Sequence, residues 1–176
     1  GSPERAGLIG EASHSTLFLD EIGELPLHLQ AHLLRVLDRG GEYQRLGESR
    51  PRNADLRVIS ATNRPLEALK HDFAARMTLH VAVPGFAARR EDIPLLINHV
   101  LREIAAQSPQ IGAPLFTNGA PRLAPGLVSA LVRRSYGTNT RELRQILWQA
   151  ITESKGERLE LPSLPEQPAP VAAVLP

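Results

Sequence analysis

Asp20 and Glu21 close a short apolar run, Thr16-Leu17-Phe18-Leu19, and are followed by Gly23 and by Pro26, a residue suited to open a helix. Apolar and β-branched residues without polar alternation predict a strand covered on both faces, the central strand of a parallel sheet. Ligands of such sheets sit beyond the carboxyl ends of the strands, which places both acids where chemistry is usually done. An Asp at that place typically holds the Mg²⁺ of a nucleoside triphosphate, directly or through water. The neighbouring Glu can orient or deprotonate the attacking water. The residues alone leave a second possibility open, a strand that stops at a solvated Asp-Glu turn. His28 and His32 stand four apart on a predicted helix, a spacing that suits a metal pair. No Glu lies between them as in the zinc-protease word and no third ligand follows at a useful spacing, so they are read as polar-face residues. His14, His71, His80 and His99 are scattered.

The elements that must position the acids follow from apolar periodicity and turn residues. A short helix carrying Leu8, Ile9 and Ala12 leads into the strand from Thr16 to Asp20, and a helix runs from Pro26 to about Arg39, stopped by Gly40-Gly41. Residues from Glu42 to Arg50 read as a short hairpin or an irregular excursion. Leu56 to Ala61 is a second strand, Pro65 to Ala75 reads as helical, and Leu79 to Val83 is predicted as a third apolar strand. Beyond Arg89 the pattern becomes helical: Leu96, Val100, Leu101 and Ile104 form one stripe. Another helix is expected near Pro125 to Arg134, and a last one is capped by Asn139 or Thr140, with Leu143, Ile146, Leu147 and Ile151 inward. Trp148 is read as a core residue of that last helix. The Pro/Gly-rich stretch from Ser108 to Pro121 separates helices, and the Pro/Ala-rich segment after Leu161 reads as a linker or tail.

Composition sets wider bounds. A length of 176 residues is enough for a domain plus a small lobe. A formal charge of +1 creates no large field, so charge balance alone does not point to nucleic acid. No basic helix pair with a short turn is evident either, which argues against DNA binding by this chain itself. The absence of cysteine excludes disulfides and thiolate metal sites. No apolar run approaches the ~18 residues that span a bilayer, and the working expectation is a cytoplasmic protein without a membrane partner.

Six words occur here in one order: GLIGEA, TLFLDEIGELP, LQAHLLRVL, RVISATNR, RREDIPLL and NTRELRQIL. Together they resemble the AAA+ ATPase domain of sigma-54-dependent enhancer-binding activators, bacterial transcription regulators of the NtrC type, from about Gly7 to about Ser154. The resemblance implies an α/β fold: part of an AAA+ parallel-sheet αβα sandwich followed by a small all-helical lid. Residues 1–88 would be the C-terminal part of the α/β subdomain, 89–160 the lid, and 161–176 a linker.

The resemblance also implies roles. Asp20 and Glu21 look like the Walker B pair, Asp20 holding Mg²⁺ through water and Glu21 activating water for ATP hydrolysis. Asn63 matches the sensor I position, where an amide can bond the γ-phosphate or lytic water; an Asn that merely turns the chain is the alternative. Arg64 matches the Arg of the ATNR word and is placed among the nucleotide-binding residues, with a surface salt bridge as the alternative. Arg76 aligns with an arginine finger that reaches a neighbouring subunit's γ-phosphate. Lys70 stands where the family usually has a second such arginine, and a lysine lacks the planar fork. Arg141 matches the sensor II arginine at the start of a lid helix, although Tyr136-Gly137-Thr138 replaces the usual Trp-Pro-Gly.

No Gly-x-x-x-x-Gly-Lys-Ser/Thr phosphate loop occurs in this sequence, nor the Gly-Ala-Phe-Thr-Gly-Ala loop by which the family touches sigma-54. The expectation is therefore the back half of an ATPase domain with its lid, itself inactive and prone to partial disorder or self-association through an open sheet edge. Its parent would be an ATP-dependent remodeller of the sigma-54 RNA polymerase holoenzyme, self-associated into a ring. DNA contact would come through a helix-turn-helix domain that this chain does not contain. The competing expectation is a non-enzymatic regulatory or assembly module that keeps AAA+ geometry.

Overall fold

The computed structural model describes residues 7–38, 41–45, 47–154 and 158–164. Arg39, Gly40 and most of the expected linker lie outside them. The chain divides into two compact units between Val81 and Ala82.

The first unit opens with α1 (Gly7–Glu11) and β1 (Ser15–Leu19). A 3₁₀ turn, Ile22–Glu24, then leads through Pro26 into α2 (Leu27–Leu37). Pro26 sits at the N-cap, where its missing N–H costs no helical bond. The expected excursion is a short antiparallel hairpin, β2 (Glu42–Tyr43) with β3 (Arg52–Asn53). β4 (Leu56–Ser60) pairs parallel with β1 in the register Ser15↔Leu56 to Leu19↔Ser60. A 3₁₀ turn, Leu66–Ala68, and α3 (His71–Arg76) complete the unit. Its core is Ile22, Leu69 and Phe73, packed with Leu19, Leu25, Leu33, Leu34, Leu37, Ala74 and Met77.

Three expectations need correction here. β1 is covered on one face only: Leu17 and Leu19 are half-buried, whereas Phe18 is 59% exposed and its register partner Ile59 is exposed beside it. Hydrophobicity allows a two-sided burial but does not supply the second layer. The run Leu79–Val83 forms no strand, and Leu79, Val81 and Val83 are 79%, 78% and 81% exposed. A strand exists only through ladder bonds to a neighbour, and none of the described residues supplies one. The helix expected over Pro65 to Ala75 is broken at Leu69, which is extended, and at Lys70 (φ −58°, ψ 129°), which is not helical. The buried Gln30 explains the break. Its Oε1 accepts the Lys70 N–H at 2.8 Å while its Nε2 donates to the Leu25 carbonyl at 2.9 Å.

The second unit is helical. A 3₁₀ turn, Arg90–Asp92, runs into α4 (Ile93–Gln107), followed by α5 (Pro109–Gly112). Next come the small hairpin β5 (Phe116–Thr117) and β6 (Ala120–Pro121), α6 (Pro125–Arg133) and α7 (Thr140–Glu153). Asn118 and Gly119 both take positive φ between β5 and β6, the requirement of a two-residue hairpin loop. The apolar stripes of α4, α6 and α7 meet in one core. Ile93, Ile97, Leu101, Ile104, Leu127, Leu131, Leu143 and Leu147 are fully buried in it, with Trp148 and Ile151 packed on its margin.

Candidate functional site

The parallel register levels the carboxyl ends of β1 and β4. The Ala61 N–H donates to the Leu19 carbonyl at 2.9 Å, and the Ile22 N–H donates to the Ala61 carbonyl at 3.0 Å. The Asp20-Glu21 turn and the Thr62-Asn63 turn therefore leave the sheet side by side. Glu21 takes the left-handed conformation (φ 53°, ψ 40°), uncommon for a residue with a Cβ. Its N–H is held by Asp20 Oδ1 at 2.9 Å. Buried Ile22 anchors the turn from below. Asp20, Glu21 and Asn63 are exposed, and the Glu21 and Asn63 side chains make no hydrogen bond or ion pair among the described residues.

The arginines divide into tied and untied. Arg64 is tied: its Nε and Nη2 each donate to Glu24 at 2.7 Å, a bidentate pair. The hydrogen bonds and charge of Glu24 raise the Arg64 pKa. Arg76, at the end of α3, is also tied, with Nη2 2.7 Å from Asp38 Oδ1 just past the end of α2. Lys70 gives its backbone N–H to Gln30, and its side chain makes no hydrogen bond or ion pair among the described residues.

Arg141 belongs to the second unit. It lies exposed in the first turn of α7, and its side chain is unpaired among the described residues. The turn before it is well fixed. Glu142 accepts from Arg134 Nε at 3.2 Å and from the Gly137 N–H at 2.7 Å. The Tyr136 hydroxyl donates to the Leu131 carbonyl at 2.8 Å, and burial pushes its pKa up to about 12. Asn139 sits at the N-cap with φ 48°, yet its side chain does not cap α7. Oδ1 instead accepts the Phe86 N–H at 2.8 Å, which corrects the expected capping role.

Models of two families divide this chain between them. The sigma-54 interaction domain matches residues 1–86, and the AAA+ ATPase lid domain matches residues 87–172. This chain belongs to the AAA+ family of sigma-54-dependent activators. Among its curated relatives, the regulatory protein AtoC of Escherichia coli K12 is 35% identical over 93% of this chain and 35% of its own length. The DNA-binding transcriptional regulator NtrC of the same organism is 34% identical over 92% of this chain and 34% of its length. NtrX of Brucella abortus, crystallised with ADP, matches with a TM-score of 0.77 at 29% identity, over 93% of this chain and 38% of NtrX. The chain thus spans about a third of these proteins. Its α/β unit is part of an AAA+ fold, and its helical unit is the lid.

Several residues of the candidate site were not singled out from sequence. Gln30 and Asp38 gave no signal, because each acts through a partner distant in the chain, and Thr62 stood unremarked beside Asn63 in the RVISATNR word. Glu24 stood within the TLFLDEIGELP word, only three residues beyond Glu21.

Proposed function

We propose that this segment is the water-activating half and lid of an ATP-driven remodeller of the sigma-54 RNA polymerase holoenzyme, working as a cytoplasmic ring. Residues 1–88 would carry the hydrolytic groups, 89–160 the lid and 161–176 a linker, with DNA contacted by another part of the parent protein. The observation that carries this reading is the side-by-side exit of the Asp20-Glu21 and Thr62-Asn63 turns from paired parallel strands.

The donor set fits a metal-nucleotide ligand. Among the described residues, Asp20 keeps one carboxylate oxygen without a partner and both Glu21 oxygens are open. Asp20 would hold Mg²⁺ through water, and the ion supplies neutralisation of phosphate charge. Glu21 would take the proton of the attacking water at its carboxylate, and the Asn63 amide would bond the γ-phosphate or that water. Arg141, cationic and at the N-terminus of a 14-residue helix, suits a phosphate. Arg76 would act on a neighbouring subunit's nucleotide, for which its guanidinium must leave Asp38. Arg64 is assigned no direct nucleotide contact, because Glu24 occupies its fork.

A non-enzymatic assembly module is the second reading, and the engagement of Arg76 by Asp38 favours it. The 176-residue chain has no phosphate loop, so we expect no micromolar affinity for a fluorescent ATP analogue. The full-length gene product should bind the analogue in that range and hydrolyse ATP. Micromolar binding by the 176-residue chain, or no hydrolysis by the full-length product, would contradict the reading.

A further inference from the structure

We infer that Glu24 and Arg64 form a positioning clamp that holds the Asp20-Glu21 turn and the Asn63 turn in one geometry. This rests on the site assignment above only for its consequence in catalysis; the coupling of the two turns stands on its own contacts.

Asn63 lies between two pinned neighbours. Thr62 Oγ1 accepts the Arg64 N–H at 3.1 Å and packs on Gly23, where a Cβ would lie 2.5 Å from that oxygen and 3.1 Å from Arg64 Cβ. Only glycine allows this approach of one turn to the other. Glu21 likewise lies between Asp20, which holds its N–H, and Ile22, which is buried and bonded to Ala61. Glu24 ends the same 3₁₀ turn, and its carboxylate reaches across to the Arg64 fork. The planar, two-bond geometry fixes direction as well as distance, which a lysine cannot do. The pair is about half exposed, 52% for Glu24 and 49% for Arg64, so it adds little to stability. Its effect is on orientation. Glu21 is left-handed and Asn63 is exposed, and no deep packing holds either side chain. Arg64 acts through its neighbours and is a positioning residue, not a catalytic one.

Amide hydrogen exchange in the 176-residue chain tests the clamp directly, read always on the turn that carries no substitution. In Arg64→Gln the Ile22 and Glu24 amides, and in Glu24→Gln the Arg64 amide, should exchange about threefold to fivefold faster, the upper part of what an exposed ion pair supplies. Exchanging the partners (Glu24→Arg with Arg64→Glu) should restore protection, and Arg64→Lys should fall between. Cross-turn exchange within about twofold of wild type in both single variants would overturn the inference. So would additive losses in the exchanged pair.

In the full-length gene product, either single variant should lower kcat about tenfold with KM for ATP and the unfolding midpoint unchanged. A rise in KM alone would contradict the assignment. Should Glu21→Gln leave turnover intact while cross-turn exchange responds, the site reading fails and the clamp stands. Loss of turnover in Glu21→Gln without any cross-turn response leaves the site and removes the clamp.

Discussion

The two units solve the same problem, holding side chains in place, by different means. In the helical unit the stripes of α4, α6 and α7 close a core in which Ile97, Leu101, Leu131, Leu143 and Leu147 have no exposed surface. In the α/β unit the corresponding core is small, centred on Ile22, Leu69 and Phe73, while Phe18 and Ile59 face outward. Yet most of the candidate chemistry belongs to the thinly packed unit: Asp20, Glu21, Asn63 and Arg76 against Arg141 alone. Polar ties take the place of packing there. Gln30 fixes the start of α3, Glu24 joins two turns and Asp38 holds Arg76. Glu24–Arg64 and Asp38–Arg76 are exposed ion pairs, which set geometry more than stability.

That contrast has measurable consequences. Leu147→Ala should destabilise the helical unit by about 2–5 kcal/mol in urea unfolding, the cost of a cavity in a closed core. Phe18→Thr in β1 should stay within about 0.5 kcal/mol and reduce self-association of the chain in sedimentation. Comparable losses for the two would erase the distinction.

A second, smaller effect sharpens it through pH. Burial raises the Tyr136 pKa to about 12, against about 10 for an unfolded tyrosine. The folded unit therefore holds this proton more tightly, so the stabilisation is complete below about pH 10 and is lost as pH rises toward about 12. Thermal unfolding of the helical unit should fall across that window more steeply in wild type than in Tyr136→Phe. Parallel curves would show that the Tyr136–Leu131 hydrogen bond is not carried in a desolvated setting.

What could be read from sequence follows the same division. The helical stripes were legible because 3.6-residue periodicity records burial within a single element, and Leu143, Ile146 and Leu147 point inward as their spacing predicts. The strand that delivers the acids was legible because its apolar run stops at Asp20, and β1 ends at Leu19, although the same residues also read as a solvated turn. Leu79–Val83 reads equally well as a strand, but pairing depends on a partner that periodicity does not encode. The break at Leu69-Lys70 depends on Gln30, and the Glu24–Arg64 pair joins residues 40 apart. Such contacts are properties of the folded register, so no local pattern announces them.

The role proposed for Glu21, released by β1 beside the Asn63 turn, is to activate water for ATP hydrolysis. The most direct measurement compares single-turnover ATP hydrolysis and ATP affinity in the full-length gene product and its Glu21→Gln variant. Hydrolysis should fall by about 10²-fold or more with affinity retained, since the amide keeps the shape but takes no proton. Hydrolysis by the Glu21→Gln variant at the wild-type rate would contradict it.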